Sequence, residues 1–411
     1  MTDITPTLST VRSSGTITPN KTNTQRTYIN GKTADRIEKV NNSAIKEKSE
    51  RMLLSLLKTG LSGEELDKSE FLNATKEDWK KVLELGNESS VTAILLDGAE
   101  KLPKNSIPHE TLIEMLTYRA NAEKEHAKRL QIISELTEKF DKRGVDTVHL
   151  KGIGFSMNYP KPNHRFGCDI DIFTRLHGQE TTNLSNSYNI ADGVMIEEGL
   201  EVGSYNNPNA KHSEFRYNGV EVDNHKYFIA KKQFPYAAKL DEYLHKNLKP
   251  HEQLLPNGKK VLVPSKEFNT IFISHHAFQH HVINELNLHH LTDWSMHVKN
   301  NGLELPEEAK GTPFEKFTYA LTNLSNRYLG TNVKVPEDRK YEDKLMQEII
   351  HPKWIDKPSP ELNNFELLIH KTKRCFKNAK RSHELGGYNT FAIFGKAALH
   401  KLLNPTTLFV R

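Results

Sequence analysis

Cysteine is almost absent from the chain: only Cys168 and Cys375 occur, far apart in sequence and in no metal-ligand spacing. That excludes a disulfide framework and makes a reducing, cytoplasmic setting the expectation. Long apolar runs are missing too; no stretch approaches the roughly 20 residues that span a bilayer. The opening MTDITPTLSTVRSS carries no apolar signal core, so a soluble protein with no membrane partner is expected. Nor is there a dominant charge. The formal net charge of +5 comes from 57 basic and 52 acidic residues, which argues against a chain built to coat nucleic acid. A local basic site stays open. No internal repeat is seen, and 411 residues of ordinary apolar content suffice for one large core or two modest ones.

The chain divides by pattern. Residues 1–45 are rich in Thr, Ser and Asn and poor in large apolar side chains, which predicts a flexible tail. The same composition suits the secretion signal of a translocated effector. Residues 46–144 read as a helical lead-in, with Trp79, Val82 and Leu83, then Leu130, Ile133, Leu136 and Phe140, at helical spacing. Lys142, Arg143 and Gly144 mark the stop of its last helix.

Residues 145–262 carry the strands. Val145–Leu150 is followed by a turn through Gly152 and Gly154 into a short helix that stops before Pro160. Residues 168–172 alternate, setting Cys168, Ile170 and Ile172 on a core face and Asp169 and Asp171 on the other. Val194–Glu197, Ser213–Tyr217 and Val220–Tyr227 are further strand candidates, the last placing Glu221, Asp223 and His225 on one face. Residues 263–411 form a helical C-terminal region, running through the His-rich stretch 275–290 past Trp294 and ending in basic helices over 367–403.

Two aspartates at i and i+2 on a strand project side by side, and a carboxylate on a neighbouring strand completes a set suited to a hard cation. Asp169, Asp171 and Asp223 fit that plan as catalytic metal ligands. Lys151 and Gly152 lie at a strand-to-helix turn whose backbone N–H groups suit a phosphate. Arg165, in the loop before the aspartates, has two readings, a phosphate ligand or a structural clamp. His225 shares the face of Asp223 and is a candidate substrate or metal contact.

These residues resemble a known family. HLKGIGFSMNYPKPNHRFGCDIDIFT, residues 149–174, resembles the signature of the uncharacterised nucleotidyltransferase family in the DNA polymerase β-like superfamily: a Leu-Lys-Gly turn, a Tyr-Pro, an Arg, then Gly-x-Asp-x-Asp. The resemblance extends over roughly residues 75 to 300, from Asp78-Trp79 through Asp223-Asn224-His225 to His276, His280 and Leu291-Thr292-Asp293. It implies an α+β fold, a minimal mixed sheet flanked by helices. It further implies Asp169, Asp171 and Asp223 as metal ligands, and Lys151-Gly152 in place of the superfamily's usual Gly-Ser phosphate turn.

The expected activity is transfer of a nucleoside monophosphate from a nucleoside triphosphate to a hydroxyl, with release of pyrophosphate. Mg²⁺ is the expected cofactor and Mn²⁺ its alternative. The acceptor stays open among a small molecule, a protein side chain and an RNA end; a stable nucleic-acid partner is disfavoured, but a tRNA end docking on the C-terminal basic helices is not excluded. Two rival readings stand beside this one: a catalytically inactive nucleotide sensor or scaffold, and a secreted effector that nucleotidylates a host protein. His276 and His280, at i and i+4, have the spacing of Zn²⁺ ligands but lack the intervening Glu of a zincin, so cleft-lining or pairing with Asp293 is the favoured role.

Overall fold

In the computed structural model the described residues are 48–178, 187–207, 210–230 and 234–352, with isolated positions between 363 and 385. All belong to the larger of two compact units, Ile45–Arg411. The expected N-terminal tail and most of the basic helices over 367–403 lie outside the described residues.

Helices α1 (48–62), α2 (Lys76–Glu88), α3 (Thr92–Ala99) and α4 (His109–Asp141) form the lead-in. Helix α2 starts at a capping box in which Thr75 and Asp78 satisfy each other's backbone N–H groups. This frees Trp79, Val82 and Leu83 to face the core. The end of α4 falls where the sequence indicates, with Gly144 at φ +75°.

Seven strands follow in one mixed sheet, ordered β3-β4-β5-β2-β1-β7-β6. They are β1 (Val145–His149), β2 (Asp169–Leu176), β3 (Val202–Gly203), β4 (His212–Tyr217), β5 (Val220–His225), β6 (His251–Leu254) and β7 (Lys260–Val263). Helix α5 (Gly152–Ser156) links β1 to β2, which are antiparallel. Helix α6 (Ser187–Glu197) follows β2, and α7 (Ala237–Asn247) precedes β6. Strands β2 and β5 are parallel, with Asp171 opposite Asp223 and Phe173 opposite His225. The C-terminal layer is α8 (Lys266–Val282), α9 (Leu288–Asn301), α10 (Pro313–Leu329) and α11 (Arg339–Ile350).

Two apolar clusters cover the two faces of the sheet. Ile170, Ile172 and Val222 pack against Leu130, Ile133, Leu136 and Phe140 of α4 and Val194 and Met195 of α6. Phe173 and Val148 instead join Phe228 and the cores of α8, α9 and α10. The alternation of β2 therefore directs the odd-numbered positions 169, 171 and 173 to the side where α8 lies.

Four local expectations change. Residues 194–197 end a helix: Ala191, Val194 and Met195 are buried at helical spacing, which overrides the β-branched composition that suggested a strand. Strands β6 and β7 were not anticipated, although Asn257-Gly258 between them is a strong hairpin signal and Gly258 has φ +78°. Cys168 is exposed, because pairing of β2 begins only at Asp169. The His-rich run is two helices, broken after Val282 and restarted by Asn287 as N-cap of α9.

Candidate functional site

The centre of the sheet brings Asp171, Asp223 and His225 together, each offering a ligand atom within 4.8 Å of the others. Asp171 is buried and held from two sides. His225 Nε2 lies 2.9 Å from its Oδ1, and Lys151 Nζ lies 3.2 Å from its Oδ2. Burial alone would raise the Asp171 pKa, but the Lys151 charge and the His225 hydrogen bond outweigh it and hold the carboxyl well below the usual range. His225 is pushed down by burial, against the pull of Asp171.

Asp223 has a different partner. Its Oδ2 is 2.9 Å from His212 Nδ1 on β4, and that carboxylate raises the His212 pKa. His212 stacks on His225, ring centroids 5.4 Å apart. Both Asp171 Oδ2 and Asp223 Oδ1 are buried; Asp223 Oδ1 accepts no hydrogen bond and Asp171 Oδ2 meets only the Lys151 ammonium. Two such oxygens on facing strands form the hard donor set a divalent cation takes.

Asp169 stands apart from that group. It lines a cleft with His126 and Arg129 of α4, Gly152, Arg165 and Gly167. Gly152 has φ +61°, which favours glycine, and a Cβ there would lie 3.6 Å from the Asp169 carbonyl oxygen. In the cleft wall Arg129 Nη2 donates to the Cys168 carbonyl, while its buried Nε has no partner. Burial, with the charges of Arg129 and Arg165, pushes His126 down to about 4.

Arg165 acts as a clamp, though on a different acid from the strand pair. Its Nε and Nη2 donate to the two oxygens of Asp293 on α9, both at 2.7 Å, and its Nη1 donates to the Gly152 carbonyl. Tyr159 OH adds a 2.6 Å bond to Asp293 Oδ1. The clamp ties the loop before β2, the Gly152 turn and α9 into one unit.

Several neighbours escaped the sequence reading. Lys211 and His212 lie at the start of β4, and the charge of Lys211, lowered in pKa by burial, acts on both Asp171 and Asp223. His126 and Arg129 come from α4, where they look like part of a solvated face. Only the pairing of β4 with β5, which sets His212 opposite His225, makes the first two visible.

The sequence profile of a family described as uncharacterised nucleotidyltransferase matches residues 75–330, more than half of the chain, and the protein belongs to that family. No curated protein and no solved structure matches it. Membership supports a general role in nucleotidyl transfer. Among the described residues no helix is long and apolar enough to cross a membrane.

Proposed function

We propose that the protein is a Mg²⁺-dependent nucleotidyltransferase that moves a nucleoside monophosphate from a nucleoside triphosphate to a hydroxyl acceptor. The observation that carries this is the pair of carboxylates Asp171 and Asp223 on adjacent parallel strands, with the buried Asp223 Oδ1 free of any hydrogen bond and Asp171 Oδ2 meeting only the Lys151 ammonium. Asp171 and Asp223 would hold the ion, with Mn²⁺ as the alternative metal, while Asp169 lies apart from them in the adjoining cleft. When bound, the ion neutralises phosphate charge and acidifies the acceptor hydroxyl.

The chain's own groups supply the rest. The triphosphate lies against the Gly152 turn, with Lys151 and Lys211 countering its charge. The acceptor oxygen forms a bond to the α-phosphorus, the bond from that phosphorus to the bridging oxygen breaks, and pyrophosphate leaves. The hydroxyl proton passes to solvent, because Asp223 Oδ1 is taken by the ion and its Oδ2 by His212. His225 and His212 position the two carboxylates, and Arg165 fixes the loop that carries Gly152. The sparse cysteines support a cytoplasmic place of action.

One observation favours a second reading, a nucleotide sensor without turnover. Lys151 already neutralises Asp171 at 3.2 Å, so the site is stable without a metal. The two readings separate when the protein is incubated with each α-labelled nucleoside triphosphate and Mg²⁺, with and without cell extract. Label transferred by the wild type and lost in Asp171→Asn supports the enzyme and names the acceptor class. Nucleotide binding without transfer supports the sensor.

A further inference from the structure

A second cluster lies behind Lys151 and plays no part in the proposed reaction. His276 and His280 are one turn apart on α8, and the break over residues 283–287 folds α9 back so that His290 meets them. Ring centroids are 4.6 Å apart for His276 and His280, 4.4 Å for His280 and His290, and 5.5 Å for His276 and His290. One nitrogen from each lies within 4.8 Å of the others. Nitrogens at Zn–N bond lengths of about 2.0–2.1 Å in a tetrahedron stand roughly 3.4 Å apart, so closure needs movements of about an ångström.

The surroundings are those of a ligand set. His290 Nδ1 is 2.8 Å from Asn287 Oδ1, and His280 Nδ1 is 3.5 Å from Glu285 Oε2. The Asn287 amide oxygen at one nitrogen of His290 orients that imidazole and leaves the other for a metal. His280 Nδ1 is buried without a hydrogen bond. No carboxylate is in the group, and three imidazole nitrogens suit Zn²⁺ far better than Mg²⁺.

We propose that His276, His280 and His290 form a Zn²⁺ site, separate from the carboxylate pair, that ties α8 to α9 and leaves a fourth coordination position. Lys151 joins the two sites, 3.2 Å from Asp171 Oδ2 and 3.4 Å from His276 Nε2. An ion at the histidines thus sets the environment of the lysine that faces the nucleotide.

The test uses the full chain without a polyhistidine tag, stripped of metal and titrated with Zn²⁺, and with Co²⁺ as a visible probe. The wild type is expected to bind one equivalent, to show the absorption bands of tetrahedral Co²⁺, and to melt at a higher temperature with Zn²⁺. His280→Ala and His290→Ala are expected to weaken binding by about 100-fold or more. Asp171→Asn is expected to keep it, so failure of this site is distinguishable from failure of the catalytic one. Absence of saturable Zn²⁺ binding by the wild type overturns the proposal even if a histidine variant misfolds. Wild-type affinity in a folded His280→Ala, His290→Ala double variant overturns it equally.

Discussion

Asp171 and Asp293 are both buried acids with a cationic neighbour, yet their surroundings differ in completeness. Asp293 receives two 2.7 Å bonds from Arg165 and a third from Tyr159, so both its oxygens are satisfied. Asp171 has one oxygen bonded to His225, one paired with the Lys151 ammonium at 3.2 Å, and beside it a second carboxylate, Asp223, whose Oδ1 accepts no hydrogen bond. The first arrangement is finished without a ligand. The second gains from a cation. Buried charge alone therefore does not separate structure from chemistry; leftover acceptor capacity does.

The comparison breaks most forcefully at Asp293. Asp293→Ala strands Arg165, whose side chain is 2% exposed, and is expected to cost about 3–5 kcal/mol in chemical denaturation. Asp223→Asn relieves repulsion between carboxylates and retains an acceptor for His212; its stability should change by less than about 1 kcal/mol while label transfer falls more than about 100-fold. A stability loss at Asp223 as large as at Asp293 would remove the distinction.

Acid should act next. His149 and His297, held down to about 4, and His275, held down to about 3, are depressed by burial. Each is neutral when folded, so its contribution is complete above the unfolded pKa of about 6.5 and is lost as pH falls toward the folded value. Each steepens the loss by up to about 1.4 kcal/mol per pH unit, visible as a falling melting temperature between pH 6.5 and 4. His212 has the opposite sign. Its pKa is raised by Asp223, so its contribution is full below about 6.5 and fades as pH rises through the folded value. That alkaline decline should be missing in His212→Asn, which also loses about tenfold in transfer through disorder of Asp223.

The smallest effect is expected at Gly152→Ala. Its Cβ finds room 3.6 Å from the Asp169 carbonyl, so the cost is the φ of +61°, about 1 kcal/mol, measured by denaturation.

Part of this arrangement is legible in the sequence. Strict alternation over residues 168–172 placed Asp169 and Asp171 on one face, and the i, i+2 pattern of Asp223 and His225 did the same on β5. What was hidden depended on pairing between distant segments. No local pattern sets His212 beside Asp223, brings Arg129 to the cleft, or turns α9 back to deliver His290. Arg165 shows the limit most clearly: its proximity to Asp169 in sequence suggested the strand acids, but its two parallel donors find the matching carboxylate 128 residues on. Residues 194–197 failed for another reason, since β-branched composition competed with a helical burial pattern and lost.

The central claim, that Asp171 and Asp223 form the unfinished cation site, is tested most directly by titrating Mn²⁺ into the metal-free protein and following free Mn²⁺ by electron paramagnetic resonance. The account predicts saturable binding, strengthened by a non-hydrolysable nucleoside triphosphate and lost in a folded Asp171→Asn, Asp223→Asn double variant. Equal Mn²⁺ binding by wild type and double variant, or none by the wild type with nucleotide present, would contradict it.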